Sequence, residues 1–203
     1  MSARADVLAR VRAALADVPP DDPQRIPRDY RRAYGDGDAV ALFAERVEDY
    51  RATVFRVDAG SVEAAIRERC RERGVARLGV AADLQIGGRA LDSQLVDDGL
   101  SPAELDGLDG ALTAAALGIA ETGTIVLDGG PGQGRRALSL VPDYHLCVVR
   151  SAQIVGSVPE AIARLEGVLR PITFISGPSA TSDIELDRVE GVHGPRILDV
   201  LLI

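Results

Sequence analysis

The sequence predicts an α/β protein: a three-layer α/β/α arrangement around an open, mostly parallel sheet, preceded by a helical arm. Three observations predict it. Short apolar runs rich in Val, Ile and Leu recur at residues 53–57, 77–82, 124–127, 145–149, 172–175 and 197–203. Near-continuous apolar runs of that length are what strands covered on both faces look like. Helix-period stretches lie between several of them, and strand–helix–strand alternation builds parallel sheets. Finally, Ser101-Pro102-Ala103-Glu104 and Ser157-Val158-Pro159-Glu160 are capping boxes that place helix starts inside this alternation.

The elements follow in order. Val7, Leu8, Val11 and Leu15 recur at helical spacing, and Pro19-Pro20 stops that helix. Residues 19–37 are rich in Pro, Asp, Arg and Gly and read as a linker. Residues 1–37 are therefore expected to form an arm, and residues 38–203 the α/β domain. The arm docks on the body or a partner, or is a plain amphipathic helix over the core. Residues 39–50 carry Leu42, Phe43, Val47 and Tyr50 as one apolar stripe. Thr53 to Val57 is a β-branched strand. Ser61 and Glu63 open the next helix, whose buried face is Val62, Ala65, Ile66 and Cys70, and Gly74 ends it. Arg77 to Ala82 closes this first βαβ unit.

Residues 83–110 give no clear pattern beyond the first capping box. Residues 111–119 are small and apolar without a period and are expected to be a strand leading into a turn. Thr124 to Leu127 is a strand. Gly129-Gly130-Pro131-Gly132-Gln133-Gly134 is a turn, not a dinucleotide fingerprint, because the glycines do not lead into a helix and no acidic residue follows at the right distance. The second capping box opens a helix with Ile162, Leu165 and Leu169 inside. Ile172 to Ile175 and Ile197 to Ile203 are the last strands.

Composition excludes several functions. The 203 residues suffice for a core that buries roughly 70% of the unfolded surface. A net charge of −8 argues against nonspecific nucleic-acid binding. All 23 basic residues are arginine, so neither a Schiff-base nor a P-loop lysine is available. Cys70 and Cys147 are read as buried thiols, and two cysteines cannot supply the four thiolates of an iron–sulfur cluster. Two distant histidines, His145 and His193, argue against a dedicated zinc site. No signal peptide or membrane-length apolar run is evident, so a cytoplasmic protein without membrane insertion is expected.

Chemistry concentrates in residues 177–195, a polar loop between two apolar strands. The Gly177 and Ser179 amides with the Ser179 and Thr181 hydroxyls could form an anion nest for a carboxylate or phosphate. Asp183 and Glu185 alternate, so in an extended segment they face opposite ways; the ordinary reading of these acids is a solvated face. His193 is either a proton carrier or a lock on the loop backbone. Glu121 precedes Thr122-Gly123 and a strand, which places it on a tight turn where glycine permits close approach. It is a candidate nucleophile or base, a ligand contact, or a turn brace. Arg135 and Arg136 could fork onto a carboxylate or phosphate, or be surface charge. His145 reads as a packing or supporting residue.

Two of these stretches resemble a known family. Gly177-Pro178-Ser179, Thr181, Asp183-Ile184-Glu185 and Gly191-Val192-His193-Gly194-Pro195 before a terminal apolar strand look like the end of the LUD domain, which defines the LutC family of lactate utilisation proteins. Ala120-Glu121-Thr122-Gly123-Thr124 with Arg136, Ser139, Pro142 and His145 is a second match, and the likeness runs from about Tyr50 to Ile203. Ala180 stands where the family often carries a basic residue, and Asp199 where many members carry histidine. The resemblance implies a fold of the NagB/RpiA/CoA-transferase-like superfamily. It implies a component of bacterial L-lactate oxidation to pyruvate, acting with separate iron–sulfur subunits and binding no cofactor itself. Within that superfamily, Glu121-Thr122-Gly123 loosely resembles the glutamate turn of CoA transferases. The alternative is thus a stand-alone acyl/CoA-transferase-like or phosphosugar-handling enzyme using Glu121, with Arg135 or Arg136 and the 177–195 loop around it.

Overall fold

The structure, a computed structural model, describes residues 2–17, 31, 33, 35, 37–85, 94–97, 99–178 and 194–203. The chain divides into two compact units, residues 1–31 and 32–203. The first holds α1 (Ala3–Ala14), whose N-terminus is capped by the Ser2 side chain and which has no buried residue.

In the second unit, α2 (Ala39–Asp49) starts at Asp38, whose carboxylate accepts from the Val40 and Ala41 amides at 3.0 Å each. It buries Phe43, Ala44 and Val47. β1 (Thr53–Arg56), α3 (Val62–Glu72) and β2 (Leu78–Ala81) follow the expected order. β3 (Gln94–Asp97) lies in the stretch where the sequence showed no pattern. Next come α4 (Pro102–Asp106), whose capping box is formed, and β4 (Gly110–Ala114). β7 (Tyr144–Val149) and β10 (Ile197–Leu202) complete a six-stranded sheet in the order β1-β10-β7-β4-β2-β3, parallel throughout. This is the α/β architecture expected from the sequence.

The difference lies in a second sheet. β5 (Leu117–Ile119), β6 (Thr124–Leu127), β8 (Ile154–Val155) and β9 (Thr173–Ile175) pair in the order β8-β5-β6-β9. β6 runs antiparallel to both β5 and β9. The runs at 124–127 and 172–175 therefore leave the main sheet, because the short turn after Ile119 folds β6 straight back on β5 as a hairpin. One face of the main sheet packs on Val62, Ile66 and Cys70 of α3. The other packs on Phe43 and Val47 of α2 and on Ile125 and Leu127 of β6.

The second capping box opens a shorter helix than expected. α5 (Val158–Arg164) buries Ala161, and Leu165 after it is also buried. Ile162 is 53% exposed and Leu169 is 98% exposed, because Gly167 at φ 82° turns the chain away before a further helical turn forms.

Candidate functional site

The β5–β6 hairpin carries the Glu121-Thr122-Gly123 turn. Glu121 is exposed and its amide donates to the Gly156 carbonyl at 3.0 Å. Gly123 has φ 58°, and a Cβ there would sit 2.5 Å from the carbonyl carbon of Arg46. The close approach that this glycine permits is thus to the backbone of α2. Thr122 Oγ1 and Thr124 Oγ1 are 2.7 Å apart, and Thr124 Oγ1 is 2.7 Å from Ser176 Oγ. These hydroxyls tie the hairpin to the chain after β9.

That hydroxyl chain forms one wall of a cleft of about 820 Å³. Arg136, Ser139 and His145 line another part, and Ile119, Leu140, Phe174 and Leu198 supply apolar surface. Gly177, Pro178, Gly194 and Pro195 also line it. The cleft therefore gathers Thr122, Arg136 and both ends of the 177–195 stretch. Gly123 and Glu121 are outside its lining. Ser179, Thr181, Asp183, Glu185 and His193 lie outside the described residues.

The two arginines have separate roles. Arg135 Nη2 donates to Asp97 Oδ1 at 2.6 Å, its Nε donates to Asp97 Oδ2 at 2.9 Å, and Nη2 also reaches the Leu100 carbonyl at 2.6 Å. The guanidinium of Arg135 holds the buried Asp97 carboxyl below the usual carboxylate range. A geometry this complete makes Arg135 a brace between β3 and the loop after β6, not a ligand fork. Arg136 is exposed, lines the cleft, and has no ion pair among the described residues.

A second cavity of about 490 Å³ adjoins the first, and Arg136, Ser139 and Thr173 line both. Its wall is the glycine turn at 129–134. Burial pushes the Asp128 carboxyl up, but hydrogen bonds from Gln133, Arg170 and the Gly130 amide outweigh it and hold the group low. Gln133 Nε2 donates to Asp128 at 2.8 Å, and Arg170 Nη2 also donates to that carboxylate at 2.8 Å. The turn is thus organised by its own side chains.

His145, by its sequence a packing or supporting residue, holds a specific position. It is 1% exposed on β7, facing α2 and the second sheet, and lines the cleft. Its Nε2 is 2.8 Å from Thr113 Oγ1 on β4, and its Nδ1 has no partner among the described residues. Burial pushes its pKa down to about 4, so the ring is neutral at pH 7. No local sequence signal pairs it with Thr113, which sits in a run without a period.

Burial raises the Cys147 thiol to about 12 and the Cys70 thiol to about 11, so both stay protonated. Among the described residues no group of three or more His, Cys, Asp or Glu side chains is placed to hold a metal ion. No helix among them is long and apolar enough to cross a membrane. Asp199 is fully buried in a pair with Arg73 and lines neither cavity.

Comparison with known proteins agrees with this architecture. The LUD domain model matches residues 40–203. A Deinococcus radiodurans protein called Lactate utilization protein C is 41% identical over 209 residues, covering 99% of this chain and 95% of that protein. An uncharacterised protein of Neisseria meningitidis is 28% identical, covering 100% and 94%. The crystal structure of a DUF162 family protein from Deinococcus radiodurans superposes with a TM-score of 0.69 at 40% identity, over 81% of this chain and 96% of that one. The resemblance first carried by the 120–124 and 177–195 stretches therefore holds across the fold, and the chain belongs to the LUD domain family.

Proposed function

We propose that this chain is a component of a bacterial L-lactate utilisation system that oxidises L-lactate to pyruvate. It acts with separate iron–sulfur subunits, which carry the electrons, while this chain binds a small ligand or a partner. The observation that carries the reading is 41% identity over 99% of the chain to a protein called Lactate utilization protein C. The chemistry of the chain is in keeping with it. Its two cysteines are buried and held as thiols, which makes them poor iron ligands.

The competing reading, a stand-alone acyl-transfer enzyme, needs Glu121 beside the ligand. Glu121 is exposed on its hairpin, and Thr122 lines the cleft in its place. Deletion of the gene tests the preferred reading. The deletion strain is expected to lose growth on L-lactate, keep growth on pyruvate, and recover when the chain is restored. Unimpaired growth on L-lactate overturns it. A tagged chain from lactate-grown cells is expected to bring down iron-containing proteins.

A further inference from the structure

We propose that the second cavity, at the carboxyl ends of β2 and β3, binds a hydrogen phosphate ion. Arg136 forks onto its oxygens, Arg135 and Arg170 each add one N–H, and Asp83 accepts from its hydroxyl. The assignment concerns a different ligand from the lactate-system reading above and does not rest on it.

Two observations carry it. The first is where the cavity lies and what holds its wall. β2, β3 and β4 run parallel, and Ala81, Asp97 and Ala114 end them. Open parallel sheets bind their ligands beyond the carboxyl ends of the strands. The glycine turn is fastened to these ends. The Gly132 carbonyl accepts from the Ala114 amide at 2.8 Å, and the Gly132 amide donates to Asp83 Oδ1 at 3.0 Å. Gly129 and Gly130 bring bare backbone to the lining.

The second is a set of unspent donors beside one unspent acceptor. Arg135, Arg136 and Arg170 all line this cavity. Arg135 spends Nε and Nη2 on Asp97 and the Leu100 carbonyl, and Arg170 spends Nε and Nη2 on Asp128. Neither can fork onto a ligand, but Nη1 of each makes no hydrogen bond among the described residues. The side chains of Asp97 and Asp128 are 0% and 12% exposed, those of Arg135 and Arg170 46% and 53%. Each pair therefore keeps its carboxylate in the protein and holds its guanidinium in place at the cavity before a ligand arrives. Arg136 has no ion pair among the described residues, so its whole fork is available. Three guanidinium groups around one cavity suit a tetrahedral dianion better than a single carboxylate. Asp83 selects among such ions. It is exposed and lines the same cavity, and its Oδ2 makes no hydrogen bond among the described residues. A carboxylate accepts hydrogen bonds and donates none, so it repels an oxyanion without a proton and accepts from one that carries an O–H. At pH 7.5 inorganic phosphate keeps a hydroxyl and sulfate has none. A phosphate monoester, whose second pKa is about 6, has mostly lost its proton there.

The test is calorimetric titration of the full chain at pH 7.5 with inorganic phosphate, sulfate and methyl phosphate. Phosphate is expected to bind at least about tenfold more tightly than either of the others, since it alone donates to Asp83. Arg136→Gln should weaken phosphate about tenfold or more. Asp83→Asn keeps an oxygen for the Gly132 amide and puts an N–H where the carboxylate accepted. It should weaken phosphate and tighten sulfate, so that the preference disappears. Asp83 lines the second cavity and not the larger cleft, so its effect separates the two. No binding of phosphate, equal binding of the three anions, a preference that survives in Asp83→Asn, or unchanged affinity in Arg136→Gln overturns the proposal. Should Asp83→Asn fail to fold, phosphorus NMR of phosphate on the wild-type chain reads the preference directly. Phosphate should stay bound against equimolar sulfate, and its displacement overturns the proposal.

Discussion

Nε2 of His145 lies 2.8 Å from Thr113 Oγ1 across two neighbouring strands, and the residue is only 1% exposed. Burial holds its pKa near 4, against 6.5 for a free histidine. Between those values the unfolded chain binds a proton that the folded chain refuses. Stability is therefore complete above about pH 6.5, falls as pH drops towards 4, and takes no further loss from this group below that. The gap corresponds to about 3 kcal/mol. Urea unfolding at pH 7 and pH 4.5 measures it. His145→Gln should flatten most of the slope between those values, whatever its own stability. Asp97 and Asp128, whose carboxyls are held low, add their losses at lower pH, where unfolded carboxylates protonate. The same slope in wild type and variant would show that the ring is not the cause.

Gly123→Ala should destabilise the fold by about 2–4 kcal/mol. Its Cβ would lie 2.5 Å from the Arg46 carbonyl carbon and 2.7 Å from the Val47 amide nitrogen, both backbone atoms of α2 that cannot swing aside. The φ of 58° adds strain. Gly60→Ala is the control, since nothing lies within 4 Å of its added carbon and its φ is ordinary. The urea midpoint should shift clearly for the first and little for the second. Equal shifts would mean that α2 yields to the hairpin.

What was legible in the sequence was local. Capping boxes at Ser101 and Ser157 formed as spaced, because their partners lie three residues away. The βαβ unit around α3 was legible from its apolar periods. The second sheet was not. A four-residue apolar run such as Thr124–Leu127 looks the same beside a parallel or an antiparallel neighbour, and only the hairpin decides. The cleft was legible in part. Thr122, Arg136 and Gly177 were picked out by residue type and do meet there. The division of roles between Arg135 and Arg136 was not legible, because Asp97 lies 38 residues from Arg135. Nor was the pairing of His145 with Thr113 across 32 residues.

Asp199 belongs to the core. Its carboxylate accepts from Arg73 at 2.7 and 3.0 Å and from the Tyr144 hydroxyl at 3.1 Å, with its own side chain fully buried. Burial and the neighbouring Asp199 charge push the Tyr144 phenol above its usual range, so it remains a donor. Removing the cation alone strands a buried carboxylate. Arg73→Met should therefore lose about 3–5 kcal/mol. Arg73→Met with Asp199→Leu should lose less than Arg73→Met alone, since the stranded charge goes too. Chemical unfolding of the two variants decides it. A double variant as unstable as the sum of its singles would mean the pair is not coupled.

Arg135 and Arg136 are adjacent in sequence and should behave oppositely. Arg135→Ala leaves Asp97 buried with the Leu100 amide at 3.1 Å as its main remaining donor, so it should lose about 2–3 kcal/mol. The loss should shrink as pH falls below about 4, where the unfolded carboxyl protonates and the pair no longer favours the folded state. Arg136→Ala removes no ion pair among the described residues and should change stability by less than about 0.5 kcal/mol. Thermal melts of both variants give the comparison, and equal small losses would mean that the Arg135–Asp97 pair adds nothing to the fold.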